Sequence, residues 1–263
     1  MDTPRPFPLN SRSFIAMRAE GVSIAPTCPA RVSTSSLALP DSSPQSKRRR
    51  PARKQGRTAA PEERRAQLIE ATIRCVAGRG LAETTIATVA REAGLSQGII
   101  NLHFQSKERL LTETLRYLAD EYRTASNTAT ANSAADPAAG LQAIVDLCFQ
   151  RSICNRDKLA VWFAFWGERK FRPTYRRICA ARDNAHDELV RTLCTNLCRL
   201  GKYSEVEPVL VANGLSALTD GLWLDLLVRP ESMKREQAWR ITMSYLADAF
   251  PRHFQQPGLK ARE

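Results

Sequence analysis

From Pro61 onward, apolar positions recur at helical spacing, and no segment alternates as a half-buried strand does. Leu68, Ile69, Thr72, Cys75 and Val76 form one stripe of a helix that opens on Pro61, Glu62 and Glu63 and ends at Gly78 to Gly80. A first-turn proline and acids near the positive end of the helix dipole suit that start. Further helices are predicted over about 106–130, 138–151, 157–171, 173–200, 206–228 and 234–250, separated by Asp136-Pro137, Arg172-Pro173, Gly201, Pro208 and Arg229-Pro230. The pattern predicts an all-α fold: a three-helix domain over 61–107, then a helical bundle over 108–251, with the helix beginning at Ser106 joining them.

Residues 1–60 are rich in Pro, Ser, Thr and Arg and lack this periodicity, so they cannot bury enough surface to offset the entropy of ordering; they are expected to be a disordered extension. A short flexible tail is expected over 252–263. The charge is uneven. Eleven basic and three acidic residues lie in 1–60, which leaves +4 of the formal +12 for the other 203 residues. The run Lys47-Arg48-Arg49-Arg50 to Arg57 suits an arm that follows phosphates or enters a minor groove, and equally a solvated tail.

No apolar run approaches the roughly 18 residues of a membrane span, and Pro and Arg interrupt every short one near the start, so a cytoplasmic, nucleoid-associated protein is expected. Seven cysteines show no CxxC spacing, which argues against a disulfide framework. Cys194 and Cys198, four apart, with His186 as a third ligand, would be a weak metal set; small buried thiols are the plainer reading. No nucleophile-base-orienter set or phosphate loop points to an enzyme, and no metal or cofactor is expected.

The stretch from Thr84 to Lys107 is the most informative. Thr85 suits the cap of a short helix that buries Ile86, Val89, Ala90 and Ala93, Gly94 supplies a left-handed ending, and Leu95 plugs the turn. Ser96 starts a second short helix with Ile100 and Phe104 inward. Its first turn offers Ser96, Gln97 and Gly98 to base edges, with Asn101 one turn on; Gln97 suits adenine and Gly98 lets the backbone come close. His103, Lys107 and the amides after Ser106 are phosphate candidates. The expected DNA-contact set is Thr85, Ser96, Gln97, Gly98, Ile99, Asn101, Leu102, His103 and Lys107.

This ordered series resembles the DNA-binding domain of the TetR family, whose signature closes on an aromatic-rich stretch and Ser-Lys-Glu, here His103-Phe104 and Ser106-Lys107-Glu108-Arg109-Leu110-Leu111. Within the family, Gly98 to Phe104, Ala164-Phe165-Trp166 and Asp220-Gly221-Leu222-Trp223-Leu224 are most similar to the BetI branch of choline-responsive repressors of glycine betaine synthesis. The resemblance covers about 61–250 and implies a repressor released from operator DNA by a small ligand. Asn101 and Leu102 depart from it, since the family often has an aromatic there. A regulator of efflux or catabolism answering another amphipathic or cationic compound is the alternative, and nonspecific DNA coating by the basic tail a further one.

At roughly 100° per residue, Trp162, Phe165 and Trp166 share about a quarter of one helix surface, and Asp220 shares a side with Trp223 on another. Indole faces attract a quaternary ammonium and a carboxylate completes the charge balance, which suits choline at Trp162, Phe165, Trp166, Asp220 and Trp223. The same residues suit ordinary core packing, with Asp220 paired to Arg169. Leu210, Gly214, Ala217 and Gly221 form a stripe of mostly small residues, and Trp239, Met243, Leu246 and Phe250 line the last helix. As in the resembling family, 206–250 is expected to form a homodimer interface that presents two reading helices to a pseudo-palindromic operator; both stripes lying inside one bundle is the other possibility.

Overall fold

The computed structural model describes residues 61–258 except 132 and 134. The expected extension over 1–60 and the chain end from 259 lie outside the described residues. Among the described residues the architecture is nine helices and no strand: α1 (Pro61–Glu83), α2 (Ile86–Ala93), α3 (Gln97–Phe104), α4 (Lys107–Ala129), α5 (Pro137–Phe149), α6 (Arg156–Glu168), α7 (Pro173–Gly201), α8 (Pro208–Val228) and α9 (Arg235–Ala249).

Local chemistry sets the boundaries. Within α1 the helix breaks at Gly80, whose φ of 79° and ψ of 170° a side-chain-bearing residue resists, so the last turn to Glu83 points elsewhere. The side chains of Thr85, Ser106, Asp136 and Asn155 each accept a hydrogen bond from a first-turn amide of the helix they open. Pro173 and Pro208 occupy first-turn positions where no N–H is missed.

Two apolar cores result. The first joins α1, α2 and α3 to the start of α4, to Val161, Trp162 and Phe165 of α6, and to Tyr175 and Cys179 of α7. The second gathers the end of α4 with α5, the second half of α7, α8 and α9. Because α6 lies against α1, the three-helix head and the bundle share packed side chains. Arg172 at the start of α7 also pairs with Glu108 of α4 at 2.7 Å.

The stripes expected to pair two subunits divide. Met243, Leu246 and Phe250 are buried within the subunit, and Trp239 is half-buried with its Nε1 donating to Asp146 Oδ1 at 2.6 Å, so the α9 stripe is a correction: it faces its own bundle. Gly214 is likewise internal, since a Cβ there would collide with the Tyr245 hydroxyl of α9. On α8, Leu210, Ala217, Gly221, Leu224 and Val228 do face outward, with Leu210 67% and Val228 59% exposed. Beyond α9, Phe254 is buried beside Phe250, and Arg240 donates to the Gly258 carbonyl at 2.9 Å, so the expected free tail is anchored as far as Gly258.

Candidate functional site

Two places concentrate side chains whose placement packing alone does not explain. The first is the outer face of α3. Ile100 and Phe104 are fully buried, and Arg65 fixes that inner face by lying 4.8 Å from the Phe104 ring centre while its guanidinium pairs with Glu113 at 2.6 Å. Gln67 Nε2 donates to the Ala93 carbonyl at 2.9 Å, and Gly94 closes α2 with φ 66°. The turn between α2 and α3 is thereby held from both sides.

Outward stand Ser96, Gln97, Gly98, Asn101 and Leu102, all exposed, Leu102 by 76%. Ser96 occupies the cap position, but its hydroxyl makes no capping hydrogen bond. A Cβ on Gly98 would meet only Ser96 Oγ, at 3.7 Å, so nothing inside the chain requires glycine there, although glycine costs a helix about 1 kcal/mol. Ile99 and His103 are half-buried on the flanks, Ile99 against the core. Thr85 is exposed but engaged with Thr88 in a reciprocal cap, with amide-to-hydroxyl distances of 2.8 and 3.1 Å. Lys107 Nζ donates to the Ala82 carbonyl at 3.2 Å, on the exposed surface at the start of α4.

The second place lies where α4, α6, α7 and α8 meet. The guanidinium carbon of Arg182 stands 4.2 Å from the ring centre of Tyr122, 5.4 Å from that of Trp162 and 5.4 Å from that of Trp223. Hydrogen bonds orient two of these rings: Trp223 Nε1 donates to the Cys148 carbonyl at 2.9 Å, and the Tyr122 hydroxyl meets His186 Nδ1 at 2.9 Å. Burial and the nearby Arg182 charge hold His186 down to about 3, so its ring is neutral. Burial, aided by Asp183 and Asp187, lifts the Asp220 carboxyl to about 6 against the pull of Arg182.

Of the aromatic-acid set expected from sequence, the structure brings Trp162 and Trp223 to this cage, carries Asp220 on the same helix as Trp223 where the Arg182 charge acts on its carboxyl, and leaves two residues out. Phe165 is buried edge-on to Tyr175 in the head-side core, with ring centres 4.8 Å apart, and Trp166 packs edge-on to Phe163 at 5.3 Å. Arg169 pairs with Asp183 at 3.4 Å, not with Asp220. Sequence reasoning missed Tyr122 and Arg182. Their signal was present: Tyr122 continues the α4 stripe of Leu111, Leu115 and Leu118, and Arg182 sits in line with Tyr175, Cys179, Val190, Leu193 and Leu197, a charge at a core position. A groove of about 520 Å³ opens beside the cage between α4 and α7, lined by Tyr122, Ser126, Arg177, Arg182, His186 and Leu189 among others. Cys194, Cys198 and His186 do not converge; no group of three metal-ligating side chains occurs among the described residues. No described helix is long and apolar enough to cross a membrane.

Comparison with known proteins joins these two places. Residues 68–114 match the bacterial regulatory proteins of the tetR family, and residues 137–251 match the C-terminal domain of BetI-type transcriptional repressors. The HTH-type transcriptional regulator BetI of Serratia proteamaculans is 38% identical over 188 residues, spanning 70% of this chain and 90% of that protein. Its counterpart in Stenotrophomonas maltophilia is 35% identical over 183 residues, 70% of this chain and 91% of that one. A crystal structure of a chain assigned as a transcriptional regulator in Pseudomonas aeruginosa PAO1 superposes with a TM-score of 0.64 at 26% identity, covering 75% of this chain and 97% of that one. A regulator from Saccharomonospora viridis, solved in complex with choline, shares the fold with a TM-score of 0.61 at 24% identity over 70% of this chain and 96% of that one.

Proposed function

The chain belongs to the tetR family, as a DNA-binding transcriptional regulator with a BetI-type C-terminal domain, and from that premise we propose that it is a repressor released from its operator when a quaternary ammonium compound, choline foremost, enters the Tyr122–Trp162–Trp223 cage. The observation that carries this reading is the cage itself. Three ring faces surround one cation within 4.2–5.4 Å, with the Asp183 carboxylate 3.1 Å from it. Such a box favours positive charge without needing N–H donors from it, and its attraction is stronger for being desolvated. The relatives named BetI and the choline complex of a chain with this fold point the same way.

Gln97, Gly98, Asn101 and Leu102 of α3 supply the base-reading face: Gln and Asn fit the adenine edge, and the exposed leucine fits a thymine methyl. Ser96 supports phosphate contact, with Thr85, His103 and the α4 start as framing positions. Two subunits joined through the outward stripe of α8 would set their α3 helices about 34–36 Å apart, or a multiple, on a pseudo-palindromic site in the nucleoid of the cytoplasm. Cage residues sit on α4 and α6, both of which pack on α1, so a cage that rearranges moves the head.

The test is a mobility-shift titration of the full chain on a duplex recovered by genome-wide mapping of its binding sites, with and without millimolar choline. The proposal expects choline to weaken binding about 5- to 150-fold, the usual span of such couplings. Unchanged affinity at saturating choline removes choline as effector while leaving the regulator.

A further inference from the structure

We propose that Arg182 is the resident cation of this cage: it occupies the effector's place in the empty protein and must swing out for a quaternary ammonium to enter. The proposal rests on the quaternary-ammonium reading above. Three observations carry it. The Arg182 side chain is only 6% exposed and its guanidinium faces rings from α4, α6 and α8, the arrangement a cationic ligand requires.

The second observation is how weakly that guanidinium is bonded. It carries five N–H donors, and a buried arginine kept for structure commonly forks onto carboxylates or carbonyls in two places at once. Here Nη1 reaches Oδ1 of Asp183, its own chain neighbour, at 3.1 Å, and the buried Nε has no hydrogen-bond partner. Ring faces and one carboxylate hold it, and a trialkylammonium headgroup uses the same contacts without leaving a donor unpaired. Exchange therefore gives up little bonding, and it returns the orphaned Nε–H to water.

The third observation is an exit. The groove of about 520 Å³ between α4 and α7 is lined by Arg182 itself, together with polar side chains that include Ser126 and Asn127. A flexible side chain leaving the cage has somewhere solvated to go. Arg182 thus sets specificity: a ligand succeeds only if it suits the rings better than a tethered guanidinium does. Competition of this kind raises the apparent dissociation constant by the inverse of the fraction of cages left open.

Calorimetric titration of full-length parent, Arg182→Ala and Arg182→Met with choline and with tetramethylammonium tests this. Removal of the resident cation is expected to tighten both ligands about tenfold or more, as for a competent state populated at a tenth or less. Low-millimolar guanidinium chloride is expected to compete with choline in Arg182→Ala and to add little in the parent, where the tethered group is already at high effective concentration. On the parent alone, the Arg182 Nε–H resonance, shifted by three rings, is expected to move toward its solvent value as choline saturates, a readout that does not depend on any variant folding. Weaker or equal choline binding in both variants, or an Arg182 resonance that stays ring-shifted in the complex, overturns the proposal and leaves the cage reading in place. Absence of binding of either cation to parent and variants overturns the cage reading and this proposal with it.

Discussion

The reading face on α3 and the cage at the centre of the bundle are built in opposite ways. The face comes from twenty consecutive residues: the Thr85 cap, the small Ala90, the left-handed Gly94 and the buried Ile100 and Phe104 place Gln97, Gly98, Asn101 and Leu102 outward. The cage comes from four helices, with Tyr122, Trp162, Arg182 and Trp223 spread over about a hundred positions. A site made by local chemistry survives in a sequence as a motif. One made by tertiary packing leaves single residues that look like core.

That contrast predicts different failures. Trp223→Ala empties a fully buried site and removes the bond to the Cys148 carbonyl, so it is expected to cost about 3–5 kcal/mol in denaturant unfolding along with effector binding. Trp223→Phe, which keeps most of the volume, is expected to retain the fold and weaken only choline. On α3, Gln97→Ala with Asn101→Ala is expected to lose about 1–3 kcal/mol of operator affinity per residue with thermal stability unchanged, as measured by fluorescence anisotropy. If the double variant binds as tightly and selectively as the parent, the reading face lies elsewhere. Gly98→Ala sharpens the comparison because its two effects oppose: about 1 kcal/mol gained by the helix, and operator affinity lost through the added methyl.

The smallest effect is on pH. A bound cation favours the ionised form of Asp220, whose carboxyl burial has lifted to about 6, but it replaces the Arg182 charge that already pulls on that carboxyl, so choline affinity is expected to fall only by about threefold or less as pH drops below 6, and to level off above it. Of the other groups at the cage, His186, held down to about 3, stays neutral over this range, and the Cys148 thiol, pushed up to about 11 by burial, stays protonated. Arg182 stays charged, with Asp183 beside it. Asp220→Asn is expected to flatten the profile in calorimetry.

How much was legible follows from the same division. Periodicity and breakers located the described helices, because most are bounded by their own caps, glycines or prolines, and the three-helix head could be described almost residue by residue. The bond from the Lys107 ammonium to the Ala82 carbonyl was not legible, since no sequence rule says that the end of a helix broken by Gly80 comes within 3.2 Å of it. For α9, an apolar stripe specifies burial but not the partner, and Met243, Leu246 and Phe250 found theirs within the subunit. In the bundle, Trp162 and Trp223 stand out by their chemistry, whereas Arg182 is marked only by its place in line with the apolar positions of α7, a weaker signal for a side chain that the fold buries.

Coupling between the two sites is the central claim, and it must work in both directions. The most direct test is therefore the affinity of the full-length protein for choline, measured by calorimetry with and without saturating operator duplex. The account predicts that operator weakens choline binding by the same factor by which choline weakens operator binding. Identical choline affinity in the two titrations would contradict it.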